Sequence, residues 1–170
     1  MDGIFDWVFV LFILTQRVVE LAIAKRHERK LKAIGAVEID RGGYVFIVCM
    51  HIAFFVSLVL EKMILNTALS QLWIFLGAIF CIAQGLRYWA IASLGIYWNT
   101  KILIAPQHPL LKKGPYKFFR HPNYIAVIAE LAVVPLVFSC YVTSIVFTTL
   151  NAVVIRRRIC IEMKALEDAK

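Results

Sequence analysis

Hydrophobic residues fall along this chain in long blocks separated by short basic stretches. The first block runs from Ile4 to about Ala24 and carries Arg17 and Glu20 in its inner half. A polar stretch follows, in which Lys25, Arg26, Arg29, Lys30, Lys32 and Arg41 outnumber Glu28, Glu38 and Asp40, and Gly42-Gly43 punctuates it. Block two spans Tyr44 to about Leu60 and ends on Glu61, Lys62 and Asn66; block three spans about Leu69 to Ser93. None of these blocks shows the one-sided periodicity of a helix that packs in water. Lipid is the solvent that tolerates a helix apolar all round. Each block predicts a membrane-spanning helix.

Residues 94–121 form the longest non-hydrophobic stretch. Lys101, Lys112, Lys113, Lys117 and Arg120 stand there with no acid among them. Pro106, Pro109 and Gly114-Pro115 exclude a continuous helix. Pro122 then takes the first position of block four, which extends to about Ser139. Block five, from about Tyr141 to Ile155, is short of the roughly 20 residues of a full crossing, so it is expected to continue as a helix through Arg156-Arg157-Arg158 into the tail. A turn at Ser139-Cys140 makes blocks four and five a tight hairpin. The expected fold is an all-α integral membrane protein of five transmembrane helices in one domain over 1–170. Residues 1–93 hold three N-terminal spans, and 94–170 hold a loop, a helical hairpin and a cytoplasmic tail.

Composition supports the membrane reading. Hydrophobic residues make up 61% of the chain and the mean hydropathy is +0.77, against roughly 45–50% apolar usage in soluble domains. A soluble domain of this length could not hide so much apolar surface. Charge changes the picture next. Sixteen of the nineteen Lys and Arg residues lie after block one, after block three or in the C-terminal tail, which five spans put on one side. By the positive-inside rule that side is cytoplasmic, with the N-terminus outside. The net charge of +8 therefore reads as topology rather than nucleic-acid binding, which would need a basic face with interleaved aromatics. Met1-Asp2-Gly3 lacks a basic n-region, so block one is not read as a cleavable signal. Cys49, Cys81, Cys140 and Cys160 stand singly, and no two histidines have metal-ligand spacing. Neither disulfides nor a metal is expected.

The unusual residues cluster late. The stretch from His108-Pro109 through Gly114-Pro115-Tyr116 to Arg120-His121-Pro122-Asn123-Tyr124 resembles the signature of the isoprenylcysteine carboxyl methyltransferase family, which reads Gly-Pro-Tyr, a spacer, then Arg-His-Pro-x-Tyr. Near the C-terminus, Arg158-Ile159-Cys160-Ile161-Glu162 followed by Leu166 resembles the family's Arg-Ile-x-x-Glu-Glu-x-x-Leu. The two elements stand in the family's order with a hydrophobic hairpin between them, over roughly the last third of the chain. Two positions depart from the pattern. Met163 replaces the second acid, and Ala126 stands where a Gly is frequent.

The resemblance implies S-adenosylmethionine as cofactor, bound at the cytoplasmic end of the hairpin, and a lipid-like acceptor entering from the bilayer. It carries cofactor-binding roles onto His108, Gly114, Tyr116, His121, Pro122, Tyr124 and Glu162, and a catalytic role onto Arg158. The residue types suit such a ligand. Pro122 leaves unpaired N–H groups and a positive dipole end beside His121 and Tyr124, where a carboxylate is welcome. Glu162 suits an ammonium or ribose hydroxyls, with Arg158 one turn away to orient it. Tyr116 and His121 offer ring faces to an adenine or a sulfonium. Taken singly these residues have plainer readings: Arg120 and His121 as interfacial anchors, Arg158 and Glu162 as a surface i,i+4 pair. Their joint pattern favours the site.

Glu130 lies two turns into block four among apolar neighbours, where an acid is costly unless it meets a partner or a polar cavity. It is a candidate catalytic base, with Arg87, Arg17 or Asn151 as partner, or else a buried bridge between helices. Arg17 with Glu20 reads as a local pair, and Arg87 with Gln84 as reaching the inner interface. His27 reads as a solvated loop residue and His51 as hydrogen-bonded inside the bundle. The predicted activity is methyl transfer to a carboxylate or acidic hydroxyl of a lipid-like acceptor, such as an alkylpyrone or an isoprenylcysteine. Phospholipid N-methyltransferases, NADPH-dependent sterol-type reductases and a non-enzymatic membrane scaffold are the rival classes.

Overall fold

The first helix does not stop where its hydrophobicity does. The computed structural model describes residues 2–105 and 113–168, and in it α1 runs from Asp2 to Ala33. The basic residues expected in a loop instead extend α1 by about two and a half turns, among them Arg26, Arg29 and Lys30. A short strand, β1 (Val37–Ile39), follows. It pairs antiparallel with β2 (Ile102–Ile104), Val37 opposite Ile104, a ribbon that the hydrophobic pattern did not predict. α2 (Arg41–Leu65) opens on Asp40, which adopts φ 54° and accepts the Gly43 N–H at 3.1 Å. A Cβ on Gly43 would collide with that carboxylate, so the tight cap needs glycine.

α3 (Trp73–Leu94) ends in a single 3-10 turn, Gly95–Tyr97. A second 3-10 turn, Gly114–Lys117, leads to α4 (Pro122–Val137). Ser139 at φ 54° reverses the chain into α5 (Tyr141–Asp168), which continues unbroken through the arginine triplet as expected. Glu61, at the far end of α2, caps α5 by accepting the Val142 and Thr143 N–H groups at 3.0 and 2.7 Å. Successive helices alternate in direction, as their end contacts require. Asp6 meets Lys62 and Ser70 meets Val137 at one end; Asp40 meets Arg157 at the other.

Ile13, Phe54, Leu58, Phe80, Leu131, Val134 and Phe138 form the packed core. Large apolar side chains also cover the outside, including Ile4, Leu11, Phe75, Ile82 and Ile145, a surface suited to hydrocarbon rather than water. Among the described residues, three helical stretches are long and apolar enough to cross a membrane: Gly3–Ala33, Arg41–Leu65 and Trp73–Tyr97. α4 is shorter, 16 residues, or about 24 Å against a hydrocarbon core of about 30 Å.

Four charges meet inside this apolar bundle. Glu130 of α4 accepts from Arg17 of α1 at 2.5 Å and from Arg87 of α3. Arg87 also contacts both oxygens of Glu20 at 3.1 Å, and Arg17 holds Glu20 at 2.7 Å. Gln16 extends the network to Glu20 and Gln84. Two guanidiniums face two carboxylates, so the buried cluster is neutral. Arg87 is wholly buried, with 0% exposure, and does not reach the interface as the sequence suggested. Arg17 and Glu20 form their local pair and tie it to two other helices.

At the opposite, basic end a second cluster fastens the ribbon. Lys101 bonds Glu28 of α1 at 2.9 Å and Glu38 of β1 at 3.2 Å, and Lys32 bonds the same two acids. Burial opposes the charge on Glu38, but Lys32 and Lys101 outweigh it and hold its carboxyl below the usual range. Burial likewise opposes the charge on Lys101, and the bonds to Glu28 and Glu38 outweigh it, raising its ammonium above the usual range.

Glu130→Gln leaves two buried guanidiniums with one full counter-charge between them, and is expected to lower stability by about 3–5 kcal/mol. Thermal unfolding in detergent measures this, and Arg87→Met combined with Glu130→Met should recover much of the loss. The ribbon has its own pH window. Glu38's depressed pKa contributes stability above the unfolded value of about 4, lost as pH falls through the folded one; Lys101's raised pKa contributes below about 10, lost as pH rises further. The protection of the β1 and β2 amides against exchange, taken relative to the unfolded chain at each pH, should therefore hold from about pH 5 to about pH 10 and fall outside that range.

Candidate functional site

The α4 N-terminus and the C-terminal half of α5 are brought together at the basic end of the bundle, and a Tyr joins them. The Arg158 Nε–H donates to the Tyr124 hydroxyl at 2.9 Å, and that hydroxyl donates to Glu162 Oε2 at 3.1 Å. Arg158 and Glu162 lie one turn apart on α5, as the i,i+4 spacing requires. Tyr124 stands between them as a relay. A second nitrogen of Arg158 donates to the Thr100 carbonyl at 2.6 Å, so the guanidinium is held by α4 on one side and by the 98–101 segment on the other.

The α4 N-terminus has features a ligand can use. Pro122 fixes the first helical position and is buried. His121 occupies the cap position without a side-chain cap bond, so its imidazole is not spent on the helix end. Its ring lies instead against Tyr124, with centroids 5.2 Å apart and planes 20° apart. The donor set at this end, helix amides and a guanidinium beside a carboxylate and stacked rings, fits a zwitterionic amino acid attached to a nucleoside.

The 3-10 turn of Gly114–Lys117 positions Tyr116. Gly114 adopts φ 55°, and a Cβ there would strike Ser93 and approach Trp89 Nε1 at 3.0 Å. Its structural contribution is thus close approach of the turn to α3. Burial pushes the half-buried Tyr116 phenol up, and the negative charge of Glu162 adds to the shift. The phenol therefore stays protonated throughout the neutral range.

Of the predicted residues, Tyr116, His121, Pro122, Tyr124, Arg158 and Glu162 gather here, with Gly114 supporting the turn. His108 lies outside the described residues. Glu130 sits six residues beyond Tyr124, about 9 Å along α4, in the buried ion cluster and 2% exposed. Arg17 and Arg87 both bond its carboxylate there. Thr100 was missed, because it takes part through its carbonyl and no side-chain pattern announces that. His27, expected to be solvated, instead bonds the Trp98 carbonyl at 2.9 Å; His51 bonds the Ile47 carbonyl inside the bundle at 2.8 Å. Met163, at the position of the absent second acid, is exposed, and Ala126 is packed inside.

Beside the relay lies a groove between α2 and α5, with a volume of about 230 Å³. Phe46, Ile47, Leu150, Val153 and Val154 make it apolar, while Asp40, Arg157 and Arg158 stand at its polar end. Arg158 thus belongs to both the relay and the groove.

Comparison with known proteins extends beyond the motifs. A Bacillus subtilis protein named YpbQ, itself uncharacterized, is 44% identical over 162 residues, covering 95% of this chain and 96% of its own. An uncharacterized Haemophilus influenzae protein is 28% identical over 155 residues, covering 91% and 90%. No solved structure matches the chain. Residues 73–168 match the isoprenylcysteine carboxyl methyltransferase (ICMT) family, so the likeness takes in α3, which the motifs alone did not include. A match running from the start of α3 to the end of α5, over more than half of the chain, makes this protein a member of that family.

Proposed function

We propose that this protein is an S-adenosylmethionine-dependent methyltransferase acting on an oxygen of a lipid-like acceptor at the basic face of a membrane. Family membership suggests a membrane methyltransferase. The observation that carries the finer reading is the shared arginine: Arg158 links the Tyr124–Glu162 pair to the apolar groove. One guanidinium therefore borders both a site suited to the cofactor and a site suited to the acceptor.

When bound, the cofactor supplies an electrophilic methyl group on a sulfonium, which the acceptor oxygen takes as the carbon–sulfur bond breaks. The chain's own work is binding and alignment. The α4 N-terminus takes the amino-acid carboxylate. Glu162 takes the ammonium or the ribose hydroxyls, and Tyr116, His121 and Tyr124 supply ring faces and hydroxyls around it. Arg158 holds an anionic acceptor by its charge, and the groove walls receive the chain behind it. A carboxylate or an acidic hydroxyl arrives already ionised, so no strong base is needed. Glu130, in this reading, holds helices together rather than moving a proton.

The acceptor is an anionic, single-chain amphiphile of the alkylpyrone or isoprenylcysteine kind. The groove is mainly apolar, with two arginines and one acid, Asp40, at its polar end, which suits a hydrocarbon chain ending in an acid better than the cationic amine of a phospholipid acceptor. We further propose five membrane crossings, with α4 and α5 as a hairpin, the N-terminus outside and the basic end cytoplasmic. Sixteen of nineteen Lys and Arg residues fall after block one, after block three or in the C-terminal tail, which five crossings put on one side, and bacterial relatives over nearly the whole length support a bacterial membrane.

Purified protein in detergent should bind S-adenosylhomocysteine by calorimetry and not NADPH; binding of NADPH alone would point to a reductase, and binding of neither to a scaffold. Glu162→Gln removes a charged partner and should weaken S-adenosylhomocysteine roughly tenfold to a hundredfold without changing the melting temperature. Val154→Trp fills the groove. It should raise KM for a long-chain acid acceptor while leaving S-adenosylhomocysteine affinity at the native value, and equal effects on both ligands would remove the groove from the acceptor site.

A further inference from the structure

The relay ends on a backbone carbonyl, and what aims that carbonyl is a separate question. The Thr100 carbonyl and the Lys101 N–H belong to one peptide unit, which is planar and trans, so they point in opposite directions. Lys101 N–H donates to Asn99 Oδ1 at 2.9 Å. Asn99 Nδ2 in turn donates to the Ala24 carbonyl of α1 at 2.9 Å. With the N–H pinned toward α1 through Asn99, the carbonyl on the far side of the same plane is aimed at Arg158, which it meets at 2.6 Å.

We propose that Asn99 is a positioning residue for the candidate cofactor site, setting the orientation of Arg158 through the Thr100–Lys101 peptide. A continuous path results, from α1 through Asn99, the peptide plane, Arg158 and Tyr124 to Glu162. Each link is a hydrogen bond of 2.6–3.1 Å. Asn is suited to the task because its amide offers a donor and an acceptor on one rigid group. The same segment is steadied by His27 on the Trp98 carbonyl and by Lys101 Nζ on Glu28 and Glu38. Those contacts fix where the segment lies; Asn99 fixes which way its carbonyl faces. Without it, Arg158 loses one of two acceptors and its fork is free to turn toward Glu162 directly, which would neutralise the carboxylate offered to the ligand.

The ligand role rests on the methyltransferase reading, so the experiment separates the two. In arginine-labelled protein in detergent, the Arg158 Nε–H resonance is assigned by its disappearance in Arg158→Lys, and its exchange with water is followed without any ligand. Asn99→Ala should quicken that exchange about tenfold or more. Asn99→Asp, which keeps the acceptor for Lys101 N–H but gives up the donor to the Ala24 carbonyl, should quicken it by less than Asn99→Ala. Lys32→Met, which removes a charge from the neighbouring cluster without touching the peptide, should have no effect. S-adenosylhomocysteine affinity, measured in parallel, should fall roughly three- to tenfold in Asn99→Ala and by less in Asn99→Asp. An Asn99→Ala protein that melts as native and leaves the Arg158 resonance unchanged would overturn the proposal, as would equal loosening in Asn99→Asp. If the resonance responds but native protein binds no S-adenosylhomocysteine, the path stands while the methyltransferase reading falls.

Discussion

Burying charge among hydrocarbon-facing helices is the constraint from which the rest of the structure follows. A lone guanidinium or carboxylate in such a setting is heavily penalised, and Arg87 is completely enclosed. It is tolerable only because Glu20 and Glu130 meet it from two other helices while Arg17 completes the balance. The cluster therefore specifies more than it stabilises. Any slip of α1, α3 or α4 by one residue would turn a charge about 100° away from its partner, so the network sets the register of three helices at once. Apolar packing alone, among similar Leu, Ile and Val surfaces, would set it far less sharply.

That register reaches the candidate site. Glu130 and Tyr124 share α4, and fixing one fixes the height at which the other presents its hydroxyl. Glu61 does the corresponding work for α5, gripping its first amides from α2, so that Arg158 and Glu162 arrive at the level of Tyr124. The site is assembled at one end of the bundle by constraints placed in its middle and at its far end. Exposed loops contribute less, and the ribbon of β1 and β2 closes the remaining side by joining α1 to the segment that carries Thr100.

Much of this was legible in the sequence, and what was not has a physical reason. Apolar blocks gave the helices because hydropathy is a property of residues in order. The α4 start was readable from Pro122, and the gathering of Tyr124, Arg158 and Glu162 from motif resemblance. The end of α1 was misplaced, because a charged helix and a charged loop look alike without knowledge of their packing. β1 and β2 are three residues each, too short for alternation to show. Arg87 and Arg17 were readable as partners for Glu130, since an acid among apolar neighbours needs one, but the bond from Arg87 to Glu20, 67 residues away, was not. Thr100 and the aim of its carbonyl were invisible in principle, because every residue has a carbonyl and only the fold chooses one.

The insertion of a Tyr between Arg158 and Glu162 carries the last step. At i,i+4 on an exposed helix face these two would bond directly, each largely neutralising the other. Here the Tyr124 hydroxyl accepts from one and donates to the other, which orders both side chains without pairing their charges. The Thr100 carbonyl then occupies a further donor of Arg158 with a neutral partner. The hydroxyl takes only one oxygen of Glu162, and Arg158 is also among the residues that line the groove. Separated and oriented charges are what the proposed methyltransferase site needs to meet ligands of opposite charge on its two sides. A direct salt bridge would have made the same residues only another link between helices, as they are around Glu130.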